Sequence, residues 1–201
     1  MTTAQKTIGL LALQGDFDAH KKVFEGLGWR TAEVRTKQDL NRVNALVIPG
    51  GESTTLGKLL ARIGLDTNIK QRAALGMPLF GTCAGMIMLA NRIQDRPEQP
   101  SLQLMDIVVA RNAFGRQVES FETDIPFRLA REENTIVHGV FIRAPYVTEF
   151  GAGVEVLSLF RDKVVAVRQD SRLAIAFHPE LTDDNRVHAY FARMVEESAD
   201  A

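Results

Sequence analysis

The chain is short of cysteine, of charge bias and of long apolar runs, and each shortage removes a class of function. A single cysteine, Cys83, stands in 201 residues, so no internal disulfide can form and a secreted, disulfide-stapled scaffold is excluded. Lys and Arg total 24 against 25 Asp and Glu, a formal net charge of −1, with aromatics at 7%. No basic run interleaved with aromatics occurs, which argues against a nucleic-acid partner. The first apolar run, Ile8 to Leu13, stops at Gln14-Gly15-Asp16. It is too short for a signal peptide core or a membrane span. These absences together predict a cytoplasmic protein. With 45% hydrophobic residues, one large domain over 1–201 with a covered sheet is expected.

What the chain does have is a cysteine in an unusual frame. Leu79-Phe80-Gly81-Thr82-Cys83-Ala84-Gly85-Met86 reads as the end of a buried strand, a tight turn and the start of a helix. Such an elbow strains its central residue and requires small neighbours, here Gly81, Ala84 and Gly85. A lone cysteine is more commonly a small buried hydrophobe. The Gly-x-Cys-x-Gly frame instead marks a nucleophile, which needs a base. Ala174 to Phe177 reads as a strand running into His178-Pro179-Glu180. Pro179 ends the ladder, leaving His178 at the strand tip and Glu180 placed to orient its imidazole. In a parallel α/β sheet both strand ends would face one crevice. His20, His138 and His188 have no comparable setting. His20 and His188 fall on predicted helices without a second ligand at metal-binding spacing, so they read as structural or surface residues and no metal is expected.

Around these motifs the pattern changes once. Thr7 to Leu13, Trp29 to Val34 and Ala45 to Ile48 read as strands, with helices over Phe17 to Leu27, from Leu56 to Ile63 and over Leu65 to Leu75. Pro49-Gly50-Gly51-Glu52-Ser53 is a Gly-rich loop, with Ser53 or Thr54 as the expected helix cap. It lacks the Lys-Ser/Thr ending of a nucleotide-binding P-loop. From Ile107 short strand-like runs follow closely without helices, reading as antiparallel or mixed sheet. A helix over Asp184 to Glu197 closes the chain.

Pro-Gly-Gly-Glu-Ser (49 to 53), Gly-Thr-Cys-Ala-Gly (81 to 85) and His-Pro-Glu (178 to 180), in this order, resemble the motifs of the class I (triad) glutamine amidotransferases. Ala12-Leu13-Gln14-Gly15, Arg111-Asn112-Ala113-Phe114-Gly115-Arg116-Gln117, Phe141-Ile142-Arg143-Ala144-Pro145 and His178-Pro179-Glu180-Leu181-Thr182 narrow the resemblance to the glutaminases that serve pyridoxal 5'-phosphate synthase. It implies an α/β three-layer sandwich with a mostly parallel central sheet and antiparallel strands in the second half. It further implies hydrolysis of L-glutamine to glutamate and ammonia by Cys83, His178 and Glu180, without a cofactor. Backbone N–H groups of Ala84 and Gly51 would form the oxyanion hole. Gly51, Glu52, Ser53, Arg111, Ile142 and Arg143 would bind glutamine. The implied partner is the synthase subunit, whose docking near Gln14 and Gly15 switches the glutaminase on and receives the ammonia. The first helix departs from the pattern in having Ala19, not an acid, before His20. Two other readings share these residues: a class I glutaminase serving another synthase, and a non-catalytic binding subunit.

Overall fold

The computed structural model describes residues 6–111, 120–129 and 132–198. Strands and helices alternate through the first half: β1 (Thr7–Leu11), α1 (Phe17–Gly26), β2 (Arg30–Val34), α2 (Lys37–Leu40), β3 (Ala45–Ile48), α3 (Ser53–Ile63), α4 (Leu65–Ala74), β4 (Leu79–Thr82) and α5 (Ala84–Leu89). Strands then dominate: β5 (Ala90–Ile93), β6 (Met105–Ala110), β7 (Ser120–Leu129), β8 (Glu132–Ile142), β9 (Tyr146–Phe150), β10 (Glu155–Phe160), β11 (Lys163–Gln169) and β12 (Arg172–Ile175). A 3-10 turn (Pro179–Leu181) and α6 (Arg186–Glu197) end the described chain. None of the described helices is long and apolar enough to cross a membrane.

The central sheet runs β2-β1-β3-β4-β12-β11-β9-β6-β5, with β10 on β11. Its first five strands pair in parallel, and every residue of β3 and β4 is buried. Apolar runs without alternation are what helices on both faces require. Accordingly α1 packs on α6, and α3 on α4 and α5, making three layers. Phe24, Phe80 and Phe191 are fully buried, each contributing about 2 to 3 kcal/mol by removal from water. Beyond β12 the pairing turns antiparallel through β11, β9 and β6. The hairpin β7–β8 forms a second sheet.

Several elements differ from the sequence expectation. Trp29 lies before β2, because its N–H donates to Phe24 O and closes α1. α2 was not anticipated, although Thr36 and Asp39 form a reciprocal capping box whose spacing is visible in sequence. The cap of α3 is Glu52, which accepts from Thr55 N–H, and not Ser53 or Thr54. β5 and β9 were also missed. β12 ends at Ile175, and His178 N–H leaves the sheet to donate to Val140 O of β8 at 2.8 Å.

Candidate active site

The site lies at the carboxyl ends of the parallel strands, where an α/β sheet of this order opens a crevice. β4 delivers Cys83 with φ 48° and ψ −101°, a strained conformation for a residue with a side chain. Its N–H donates to Ile175 O at 2.9 Å, which ties the elbow to β12. The neighbouring glycines are steric requirements. A Cβ on Gly81 would stand 2.5 Å from the Gly85 carbonyl carbon, and one on Gly85 would collide with Ile48 O. Cys83 is 8% exposed. Its thiol donates to Ile142 O at 3.8 Å, so the end of β8 lies over the sulfur.

Rounding β12, the chain presents His178 to this thiol. His178 Nδ1–H donates to Glu180 Oε1 at 2.8 Å, leaving Nε2 for the hydrogen bond with Cys83. Burial pulls the His178 pKa down, but the hydrogen bonds with Cys83 and Glu180 outweigh it and push it up to about 10. Burial favours the neutral form of Glu180. His20 beside it and the hydrogen bond from His178 overcome that and hold the carboxyl well below its usual range. The pair therefore reads as carboxylate and imidazolium beside the Cys83 sulfur. Gly50 lies flat beneath the ring, since a Cβ there would collide with His178 Cε1.

On the other wall, the loop after β3 carries Gly51 at φ 151°. The Gln14 amide lies directly over it, 2.6 Å from where a Cβ would stand, and Gln14 Oε1 accepts from Glu52 N–H at 2.8 Å. A Cβ on Gly15 would collide with Gly50 O, so the loop after β1 is pressed onto this one. Glu52 faces Arg111 at 3.6 Å. Burial raises its pKa but the Thr55 bonds prevail and keep it low. Ser53 is buried. Arg143 is exposed at φ 43°, next to Ile142.

The structure thus gathers Cys83, His178, Glu180, Ala84 and Ile142 around one sulfur and Gln14, Gly15, Gly51 and Glu52 on the adjoining loops, with Arg111 paired to Glu52. Asn112 to Gln117 of the Arg111 motif lie outside the described residues. Sequence reasoning missed Gln99. Its amide donates to Ser53 Oγ at 3.0 Å, and its Oε1 accepts from Thr54 Oγ1 at 3.1 Å and Arg111 NH1 at 3.2 Å. It sits in a Pro-bounded loop with no local pattern to mark it. His20 and His188 are fully buried, which corrects the surface half of their expected reading. No group of three or more His, Cys, Asp or Glu among the described residues could hold a metal ion.

The family model of the SNO glutamine amidotransferase family matches residues 10–197. A pyridoxal 5'-phosphate synthase subunit PdxT of Pelotomaculum thermopropionicum is 54% identical over 184 residues, covering 92% of each chain. The protein of the same description from Thermus thermophilus is 52% identical over 188 residues, covering 93% of this chain and 96% of its own. A glutamine amidotransferase crystal structure superposes with TM-score 0.88 at 50% identity, covering 94% of this chain and 98% of its own. A glutamine amidotransferase of Thermotoga maritima, at 13% identity and TM-score 0.64 over 97% of this chain and 86% of its own, shares the fold.

Proposed function

The chain belongs to the SNO glutamine amidotransferase family, and from that premise we propose that it is the glutaminase subunit of pyridoxal 5'-phosphate synthase, hydrolysing L-glutamine and passing the ammonia to its synthase partner in the cytoplasm. The observation that carries this reading is the Cys83–His178–Glu180 alignment, with a strained thiol on one side of the imidazole and a carboxylate 2.8 Å away on the other.

The roles follow from the chemistry of each group. With the Cys83 proton carried on His178 Nε2, the thiolate attacks Cδ of the glutamine side chain, and the amide oxygen becomes an oxyanion held by the N–H groups of Ala84 and Gly51. His178 gives its Nε2 proton to the departing nitrogen, the C–N bond breaks, and ammonia leaves behind a γ-glutamyl thioester. The neutral imidazole then takes a proton from water, whose oxygen attacks the thioester. Glutamate departs and the thiolate is restored. Glu180 holds the imidazole in the tautomer this requires and stabilises the imidazolium. At the other end of the substrate, Glu52 meets the α-ammonium and Arg111 the α-carboxylate, with Ser53, Ile142 and Arg143 lining the site. Because Gln14 lies over Gly51 and takes the Glu52 N–H, a partner docked on Gln14 and Gly15 has a direct route to the oxyanion loop.

The test is glutamate release from glutamine by the purified chain, alone and with the pyridoxal 5'-phosphate synthase subunit, with Cys83→Ala as control. Slight release alone, a strong rise with the partner and none in the variant are expected. Hydrolysis indifferent to that partner would assign the chain to another synthase. No hydrolysis under either condition would make it a binding subunit.

A further inference from the structure

Behind Glu180, away from the thiol, lie two histidines that the reaction above does not use. His20 on α1 and His188 on α6 are both at 0% exposure. His20 Nε2 stands 3.4 Å from Glu180 Oε1 and 3.2 Å from Thr82 Oγ1, and His20 Nδ1 stands 2.9 Å from His188 Nε2. Phe80 and Phe24 close the surroundings edge-on to these rings.

The protons in this chain follow from the unmade bonds. His188 Nδ1 is buried without a hydrogen-bond partner. A buried N–H with nothing to donate to is the rarer and more costly orphan, whereas a bare lone pair is tolerated more readily. His188 therefore keeps its proton on Nε2 and donates it to His20 Nδ1. That leaves the His20 proton on Nε2, at hydrogen-bond distance from Thr82 Oγ1 and with Glu180 Oε1 3.4 Å away. Glu180 needs such a donor. Its Oε2 has no hydrogen-bond partner, so without His20 only His178 would hold the carboxylate in its orientation.

We propose that His20 is a positioning residue of the catalytic set: its Nε2–H fixes Glu180 Oε1 in the orientation that receives His178, and His188 fixes the His20 tautomer. The order is His188, His20, Glu180, His178, Cys83, drawn from α6, α1, the 3-10 turn, the segment after β12 and the elbow after β4. This rests on the triad reading above and extends it to two residues that never meet substrate. Removing the support leaves binding intact and weakens the acid–base step.

Three measurements on the full-length chain test it. In the wild type labelled with 15N-histidine, the long-range 1H–15N spectrum should show a protonated Nε2 at His20. A bare Nε2 there overturns the proposal, and no substitution is needed to see it. In the complex with the synthase subunit, His20→Ala should lower kcat about tenfold, equivalent to about 1.4 kcal/mol, while KM stays within about twofold. His20→Gln, whose amide can donate to Glu180, should regain part of the loss. Unchanged kcat in a folded His20→Ala protein overturns the proposal. So does a loss that His20→Gln leaves unrepaired in a protein melting at the wild-type temperature. If neither variant folds, the wild-type spectrum decides. Alkylation of Cys83 by iodoacetamide, which needs no glutamine, should slow in His20→Ala as kcat does. If it slows while no form of the protein hydrolyses glutamine, the support role stands and the glutaminase reading falls.

Discussion

At the scale of single residues, the site depends on what is missing as much as on what reacts. Gly50 has no side chain because the His178 ring occupies that space. An imidazole held by Glu180 on one nitrogen and Cys83 on the other cannot move aside without breaking one of those bonds. Gly50→Ala should therefore displace the ring while sparing the core, since Gly50 sits in a loop. A displacement approaching 1 Å costs about 100-fold in rate. Glutamate release by the Gly50→Ala complex should fall by about that factor, with the thermal melt little changed. Wild-type activity would show that the loop yields and the ring does not.

At the scale of elements, the loop before α3 serves the helix and the site with the same residue. Glu52 caps α3 by accepting from Thr55 N–H at 2.9 Å and Thr55 Oγ1 at 3.1 Å, and it faces Arg111. The two duties separate by substitution. Glu52→Ala should lose about 1 kcal/mol of stability with the cap and should also raise KM for glutamine. Glu52→Ser restores a short acceptor at the cap but no charge, so urea unfolding should recover while KM stays high. Recovery of both would deny the carboxylate a part in binding. This element also shows what sequence makes legible. Leu56, Leu59, Leu60 and Ile63 make the helix plain, but the sequence points to Ser53 or Thr54 as its cap, because propensity favours hydroxyls and does not show that the exposed Glu52 reaches Thr55 N–H. Cys83 and His178-Pro179-Glu180 were legible because strain and proline leave local signatures. His20, His188 and Gln99 were not, because their significance lies in contacts between elements distant in the chain. β9 and β5 were missed for the same reason, as short strands held by their neighbours.

At the scale of the whole molecule, the central sheet and the β7–β8 hairpin divide the work. The parallel strands of the sheet aim Cys83 and His178 out of their ends. The hairpin, a separate sheet, lays β8 over them, with Val140 O taking the His178 N–H and Ile142 O facing the thiol. Closure buries titratable groups, and that couples the fold to pH. Burial pushes the His188 pKa down to about 3, against an ordinary value of 6.5. Above pH 6.5 both folded and unfolded chains hold His188 neutral, and its contribution is complete. Below 6.5 the unfolded chain binds a proton that the folded chain refuses until about pH 3, so stability is lost on acidification. The depressed Glu180 acts in the same direction below its ordinary 4.5. His178 has the opposite sign. Raised to about 10, it contributes fully below 6.5 and loses that contribution as pH climbs toward 10. Stability should therefore peak near pH 6.5 and fall on both sides, by up to about 1.4 kcal/mol per pH unit for each one-proton difference. Urea unfolding from pH 4.5 to 9 measures the curve. His188→Gln should flatten its acid side and His178→Gln its alkaline side. A wild-type curve level across this range would mean that neither histidine titrates differently in the folded chain, and that the buried charges of the site are not linked to folding.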